Sequence, residues 1–136
     1  MRVNVSGFSP DEYGQLTALC RETGVDEIEH NWGCPNIWGD GGQKPITSFS
    51  TKMMQMVLER TRELAGYDVR IEAKLSPYSN PMQLAEIASF LSGYDMVTGV
   101  VTSNTFPNGL DYNDYDEAGL PVIRFGEGLA GYSGRG

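Results

Sequence analysis

The sequence predicts an α/β fold: a partial (β/α)8 TIM barrel, a half-barrel of about four parallel strands and three helices in 136 residues. Three observations predict it. Short strand-like runs alternate with amphipathic stretches, an order that implies right-handed crossovers and a parallel sheet. Helix starts are signalled by a capping residue followed by proline, at Ser9-Pro10 and Asn80-Pro81. In the run from Val69 to Leu75, Val69, Ile71, Ala73 and Leu75 alternate with Arg70, Glu72 and Lys74. A central strand of a doubly wound sheet reads as a continuous apolar run, whereas barrel helices cover only the outer face. The alternative for this alternation is an edge strand facing solvent.

The elements follow in order. Arg2 to Val5 reads as the first strand. Ser9 is the N-cap of the first helix, Pro10 its first residue, and Glu12 completes a capping box. Phe8 and Tyr13 have staple spacing; Tyr13, Leu16, Leu19 and Cys20 form the expected buried stripe, with Gly24 as the stop. Val25 to Asn31 is the second strand, and a Gly-rich loop spans Gly33 to Gly42. The second helix runs from about Ser50 to Ala65, with Met53, Met56, Val57 and Leu64 on one face, the Met53, Met54 and Met56 group reading as core, and Gly66 ending it. Val69 to Leu75 is the third strand. The third helix starts at Asn80-Pro81, buries Leu84, Ile87, Ala88 and Leu91, and ends at Gly93; Asp95 to Thr102 is the fourth strand. Beyond Ser103 the chain is polar and Gly-rich, with one extended piece expected at Pro121 to Phe125.

Residues 1–136 form one domain, with hydrophobic residues at 40% and charged residues at 21%, ordinary values for a folded chain. The net charge of −8 argues against nucleic-acid backbones and anionic membranes as partners. With neither a membrane-spanning apolar run nor a secretory leader, the cytoplasm is the expected location. Two cysteines, Cys20 and Cys34, are too few for a disulfide scaffold, and with the single His30 they offer no metal-ligand spacing, so no metal is expected.

In such folds, chemistry sits beyond the C-terminal ends of the strands. Asn31-Trp32-Gly33-Cys34-Pro35-Asn36 occupies one such end, with two carboxamides flanking a cysteine on a proline-stiffened loop. Carboxamides suit a planar ring with imide-like edges, and a loop cysteine can act as nucleophile or base; the plain alternative is a buried, inert thiol. Lys74, beside Glu72, can stabilise an anion developing on a bound ring, or serve as a paired structural lysine. Ser103-Asn104-Thr105 follows the fourth strand directly, with Asn104 and Thr105 as ligand-binding candidates, while Asn108-Gly109 also reads as a turn. Gly126-Glu127-Gly128-Leu129-Ala130-Gly131 has the composition of a phosphate-cradling loop without the dinucleotide fingerprint. His30, on the apolar side of its strand, reads as a satisfied packing residue.

Together these segments resemble class 1 dihydroorotate dehydrogenase over essentially the whole chain. The resemblance rests on Asn31 to Asn36 (family pattern N-x-S-C-P-N), Ala73-Lys74-Leu75-Ser76-Pro77-Tyr78, Ser103-Asn104-Thr105 with Asn108-Gly109-Leu110, and Gly128-Leu129-Ala130-Gly131. It implies FMN-dependent oxidation of dihydroorotate to orotate. Cys34 would be the base at C5, with hydride leaving C6 for the flavin. Asn31, Asn36, Asn104 and Thr105 would bind substrate; Asn31, Lys74, Ser103 and Gly131 would bind the cofactor. Asn108-Gly109-Leu110 and the unbroken stretch after it resemble type A, a fumarate-reducing homodimer, more than type B. Gly33 stands where the pattern has serine, and Tyr132 to Gly136 depart from the usual continuation. The barrel strands on either side, with further substrate and phosphate contacts, are not in the sequence, so the fragment alone is expected to be inactive. Its two open sheet edges imply pairing of two copies. The other readings are a non-catalytic or flavin-binding half-barrel, and the flavin domain of a dihydropyrimidine dehydrogenase, which shares the Asn and Cys loop.

Overall fold

The structure, a computed structural model, describes residues 1–35, 38–39, 42–109, 117 and 130–132, with backbone alone at 38–39, 43, 106–109 and 130–132. The elements are β1 (Arg2–Val5), α1 (Pro10–Glu22), β2 (Glu27–Asn31), β3 (Trp38–Gly39), β4 (Gly42–Gln43), a 3-10 turn (Thr47–Phe49), α2 (Thr51–Ala65), β5 (Ile71–Leu75), α3 (Pro81–Ser92), β6 (Val97–Thr102), β7 (Phe106–Gly109) and β8 (Ala130–Tyr132). The main sheet has the order β1-β2-β5-β6, and every pairing in it is parallel. Four parallel strands joined through three helices are the expected half-barrel.

All three helix starts are capped. The Ser9 and Ser50 side chains accept from the Glu12 and Met53 amides, and Asn80 accepts from Met82. The Glu12 carboxylate reaches back to the Phe8 amide at 2.6 Å, one residue before the position a capping box uses. Three strands start two residues later than expected. Val25 bonds back to Cys20, Val69 closes onto Gly66, and Val97 donates to Tyr94, so the residues before each ladder finish the preceding helix turn.

The buried helix stripes match the expected ones in part. In α1, Tyr13 is buried and Leu16 and Cys20 pack against the core as expected, but Leu19 is 56% exposed and Gly14 and Thr17 are buried as well. In α2, Met56 and Leu64 turn outward while Met54, Val57, Leu58, Thr61 and Ala65 go inside. The two helices pack closely at Gly14, where a Cβ would lie 2.9 Å from the Arg60 carbonyl and 2.8 Å from Leu64 Cδ1. In α3, Ile87 and Leu91 are buried and Leu84 is half exposed. It borders an apolar groove of about 400 Å³ over Val97 and Val100.

β5 lies inside the sheet, which removes the edge-strand reading of its alternation. Ile71, Ala73 and Leu75 enter the core against the helices, and Glu72 and Lys74 face the other side. Two antiparallel hairpins were not expected: β3 with β4 inside the Gly-rich loop, and β7 with β8. Asn108 and Gly109 therefore lie in a strand rather than a turn, and Ala130 and Gly131 lie in its partner. The piece expected at Pro121 to Phe125 falls outside the described residues. Among the described residues no helix is long and apolar enough to cross a membrane.

Candidate functional site

Parallel register decides which side chains meet. Asn4 is opposite Glu29, Glu29 opposite Glu72, and Asn31 opposite Lys74. These residues therefore share the sheet face that the helices leave open. Toward the N-terminal end of that face, Arg2 pairs with both Glu29 (2.8 Å) and Glu72, and the Asn4 carboxamide donates to Glu29. Toward the C-terminal end lie Asn31 and Lys74. Glu72 is thus engaged by Arg2, and among the described residues no hydrogen bond or ion pair holds the Lys74 ammonium.

Three strand-end segments are laced together above this layer. The Trp32 amide donates to the Lys74 carbonyl (3.0 Å), and the Asn104 amide donates to the Leu75 carbonyl (2.7 Å). The Asn104 side-chain nitrogen donates to Asn31 Oδ1 at 2.6 Å, and the Thr105 amide donates to Asn104 Oδ1 at 2.8 Å. Asn31, Lys74, Asn104 and Thr105, all singled out from the sequence, thus meet at one strand end. Cys34 is half-buried on the loop just past Gly33. Ser103 is exposed beside Asn104. Gly131 lies in β8, paired with the strand that follows Thr105, and Gly126 to Leu129 of the expected phosphate-cradling loop lie outside the described residues. Asn36 lies outside the described residues.

Gly33 has a reason of its own. A Cβ there would stand 2.6 Å from Asn104 Cβ and 2.9 Å from the Ser76 amide nitrogen. The space a serine would need is taken by the Asn104 side chain. Gly33→Ala should therefore cost about 1–3 kcal/mol, the usual price of overpacking, measured by urea unfolding of the purified chain. Unchanged stability would show that the loop has room to spare.

The sequence offered no signal for the residues that pin these loops. Ser48, fully buried in the 3-10 turn, donates its amide to the Trp32 carbonyl (3.0 Å) and accepts the Ser76 amide on its hydroxyl (3.1 Å). Its carbonyl accepts the Tyr78 hydroxyl. The Tyr13 hydroxyl donates to the Asn31 carbonyl at 2.5 Å. Burial pushes the Tyr13 phenol up to about 12, so it stays protonated and keeps donating at any neutral pH. His30, behind Asn31, is completely buried between Tyr13 and Trp32. Its Nε2 meets the Thr17 hydroxyl at 2.7 Å, but its Nδ1 has no partner among the described residues, so it is a packing histidine only half satisfied.

No protein-family model matches the chain. It is 25% identical over 138 residues to the NAD-dependent dihydropyrimidine dehydrogenase subunit PreA of Escherichia coli K12, an alignment covering 97% of this chain and 31% of that protein. It is 29% identical over 106 residues to the catalytic subunit of dihydroorotate dehydrogenase B (NAD(+)) of Endomicrobium trichonymphae, covering 77% of this chain and 31% of that one. The chain is similar to oxidoreductases that act on pyrimidines. It spans about a third of the length of these relatives. Both the expected dihydroorotate dehydrogenase and the alternative, dihydropyrimidine dehydrogenase, are represented among these relatives, and the expected type A is not.

Proposed function

We propose that the chain forms the catalytic-loop half of a flavin-dependent dehydrogenase that oxidises dihydroorotate to orotate. The supporting observation is the convergence of Asn31, Lys74 and Asn104, held by the 2.6 Å carboxamide bond, at the root of the Cys34 loop. Hydrogen-bond donors on Asn31 and Lys74 suit the carbonyl and ring-nitrogen acceptors of an isoalloxazine, so the residues present fit FMN. Asn31, Lys74 and Ser103 would contact it, with Gly131 toward its phosphate. Bound there, FMN supplies a two-electron acceptor for hydride from C6 of the substrate. The protein's share is to hold the ring through Asn31, Asn104 and Thr105 and to take the C5 proton on the Cys34 thiolate, leaving a C5–C6 double bond. Similarity to a type B subunit favours NAD+ over fumarate as the final acceptor. Two copies closing the open sheet edges as a homodimer belong to the same proposal.

Dihydrouracil-type substrates are the second reading, favoured by the 97% coverage of the dihydropyrimidine dehydrogenase alignment. Purified protein mixed anaerobically with FMN and either dihydropyrimidine is the test. In the two-copy assembly that closes the sheet edges, bleaching of bound flavin by dihydroorotate, and not by dihydrouracil, is the expected result. The reverse preference selects the second reading. A folded chain that binds no flavin overturns both.

A further inference from the structure

On the helix side of β2, away from Asn31 and Lys74, two wholly buried rings each carry a polar atom without a partner. His30 and Trp32 alternate along the chain, and their rings meet edge-on with centroids 6.1 Å apart. The hydrogen bonds around them decide what each ring offers. The Thr17 hydroxyl has one proton, and it goes to the Tyr13 carbonyl at 2.7 Å, because a carbonyl has none to give. At its 2.7 Å contact with His30 Nε2, Thr17 is therefore the acceptor, and Nε2 carries the ring proton. Complete burial keeps the imidazole neutral, so Nδ1 is left with a lone pair and no proton. The Tyr13 hydroxyl, against the same ring, gives its proton to the Asn31 carbonyl. Trp32 Nε1 is the opposite case, one N–H and no lone pair. Neither nitrogen has a partner among the described residues, so the two do not bond each other directly.

We propose that His30 and Trp32 form an internal binding site for one water molecule, which accepts the Trp32 indole N–H and donates to His30 Nδ1. A single lone pair faces a single N–H, and water both accepts and donates. Two ordinary bonds of about 2.8–3.0 Å let it bridge groups on rings at this spacing. Each group left unpaired would bear its full desolvation cost, whereas ordering one water costs little. Buried waters commonly serve two or more such groups and remain part of the fold. The site is independent of the flavoenzyme reading, since it lies behind the strand and not on the open face.

NMR of the purified, nitrogen-15-labelled chain at neutral pH tests it. The sequence has one histidine, so its ring nitrogens are assigned directly. Long-range proton–nitrogen correlation should show Nε2 protonated and Nδ1 of the pyridine type. Nuclear Overhauser and rotating-frame transfers between water and the Trp32 indole proton should have opposite signs, which distinguishes a held water from proton exchange. In Trp32→Phe the donor is gone: the water transfer should vanish and the Nδ1 resonance should move downfield, as for a nitrogen that loses a hydrogen bond. Trp38→Phe, on β3, assigns the two indole signals even if Trp32→Phe does not fold, and the wild-type data then decide. A proton on Nδ1 overturns the proposal. So does the absence of water transfer to the Trp32 indole in the folded wild-type chain, or transfer of the same sign in both experiments. An Nδ1 resonance unmoved in folded Trp32→Phe overturns it as well.

Discussion

Cys34→Ala is expected to slow anaerobic flavin reduction by dihydroorotate about a hundred- to ten-thousandfold, the usual range for loss of a general base, with flavin affinity unchanged within about twofold. Geometry leaves few other groups for the role. The Tyr13 phenol, behind the same loop, stays protonated because burial raises it to about 12. The Lys74 ammonium can stabilise negative charge but has no proton-accepting capacity while charged. His30 lies on the opposite side of β2, wholly buried. Cys34 is half-buried on a loop anchored at Trp32, Gly33 and Ser76. Stopped-flow absorbance of the flavin separates the reduction step from binding. Cys34→Ser, which retains an ionisable oxygen at the same place, should recover part of the rate. A wild-type rate in Cys34→Ala would remove the cysteine from the chemistry.

The second large effect is acid lability. His30 is the only histidine in the sequence and is fully buried, and burial drives its pKa down from 6.5 to about 3. The folded state therefore holds the ring neutral between those values, while the unfolded chain takes up a proton. Because the unfolded state binds more protons, stability falls as pH falls below 6.5 and is unaffected by this group above it. The slope approaches about 1.4 kcal/mol per pH unit, which amounts to about 2 kcal/mol lost by pH 5. Urea unfolding at pH 7.5, 6 and 5 measures it, before most carboxylates titrate. His30→Gln should be less stable at pH 7.5, since it disturbs the Thr17 contact and the ring packing, yet it should lose this pH slope. Equal wild-type stability at pH 7.5 and 5 would contradict the assignment.

Local chemistry was legible because its causes are local. Ser9 and Asn80 cap helices through bonds to amides two or three residues away, and no distant partner is needed. The alternation from Val69 to Leu75 survived because the strand period is two, so a start delayed to Ile71 left every side chain on its expected face. Helix faces were less secure. With a period of 3.6, Met53-Met56-Val57 and Met54-Val57-Leu58 are overlapping stripes, and which one is buried depends on the elements that α2 packs against. Ser48 was invisible for the same reason, since all three of its partners lie 16 to 30 residues away in sequence: Trp32, Ser76 and Tyr78.

The sequence by itself determined the order of the four parallel strands and three helices, the split of the Val69 to Leu75 strand into an apolar and a polar side, and which strand ends carry carboxamide, thiol and ammonium groups. Those follow from residue type and spacing along one chain. Only the tertiary structure decided that Asn31, Lys74 and Asn104 share one corner, and that Gly33 makes room for Asn104. Register between strands and contact between loops are long-range quantities, settled when β2, β5 and β6 align and their backbone groups find partners.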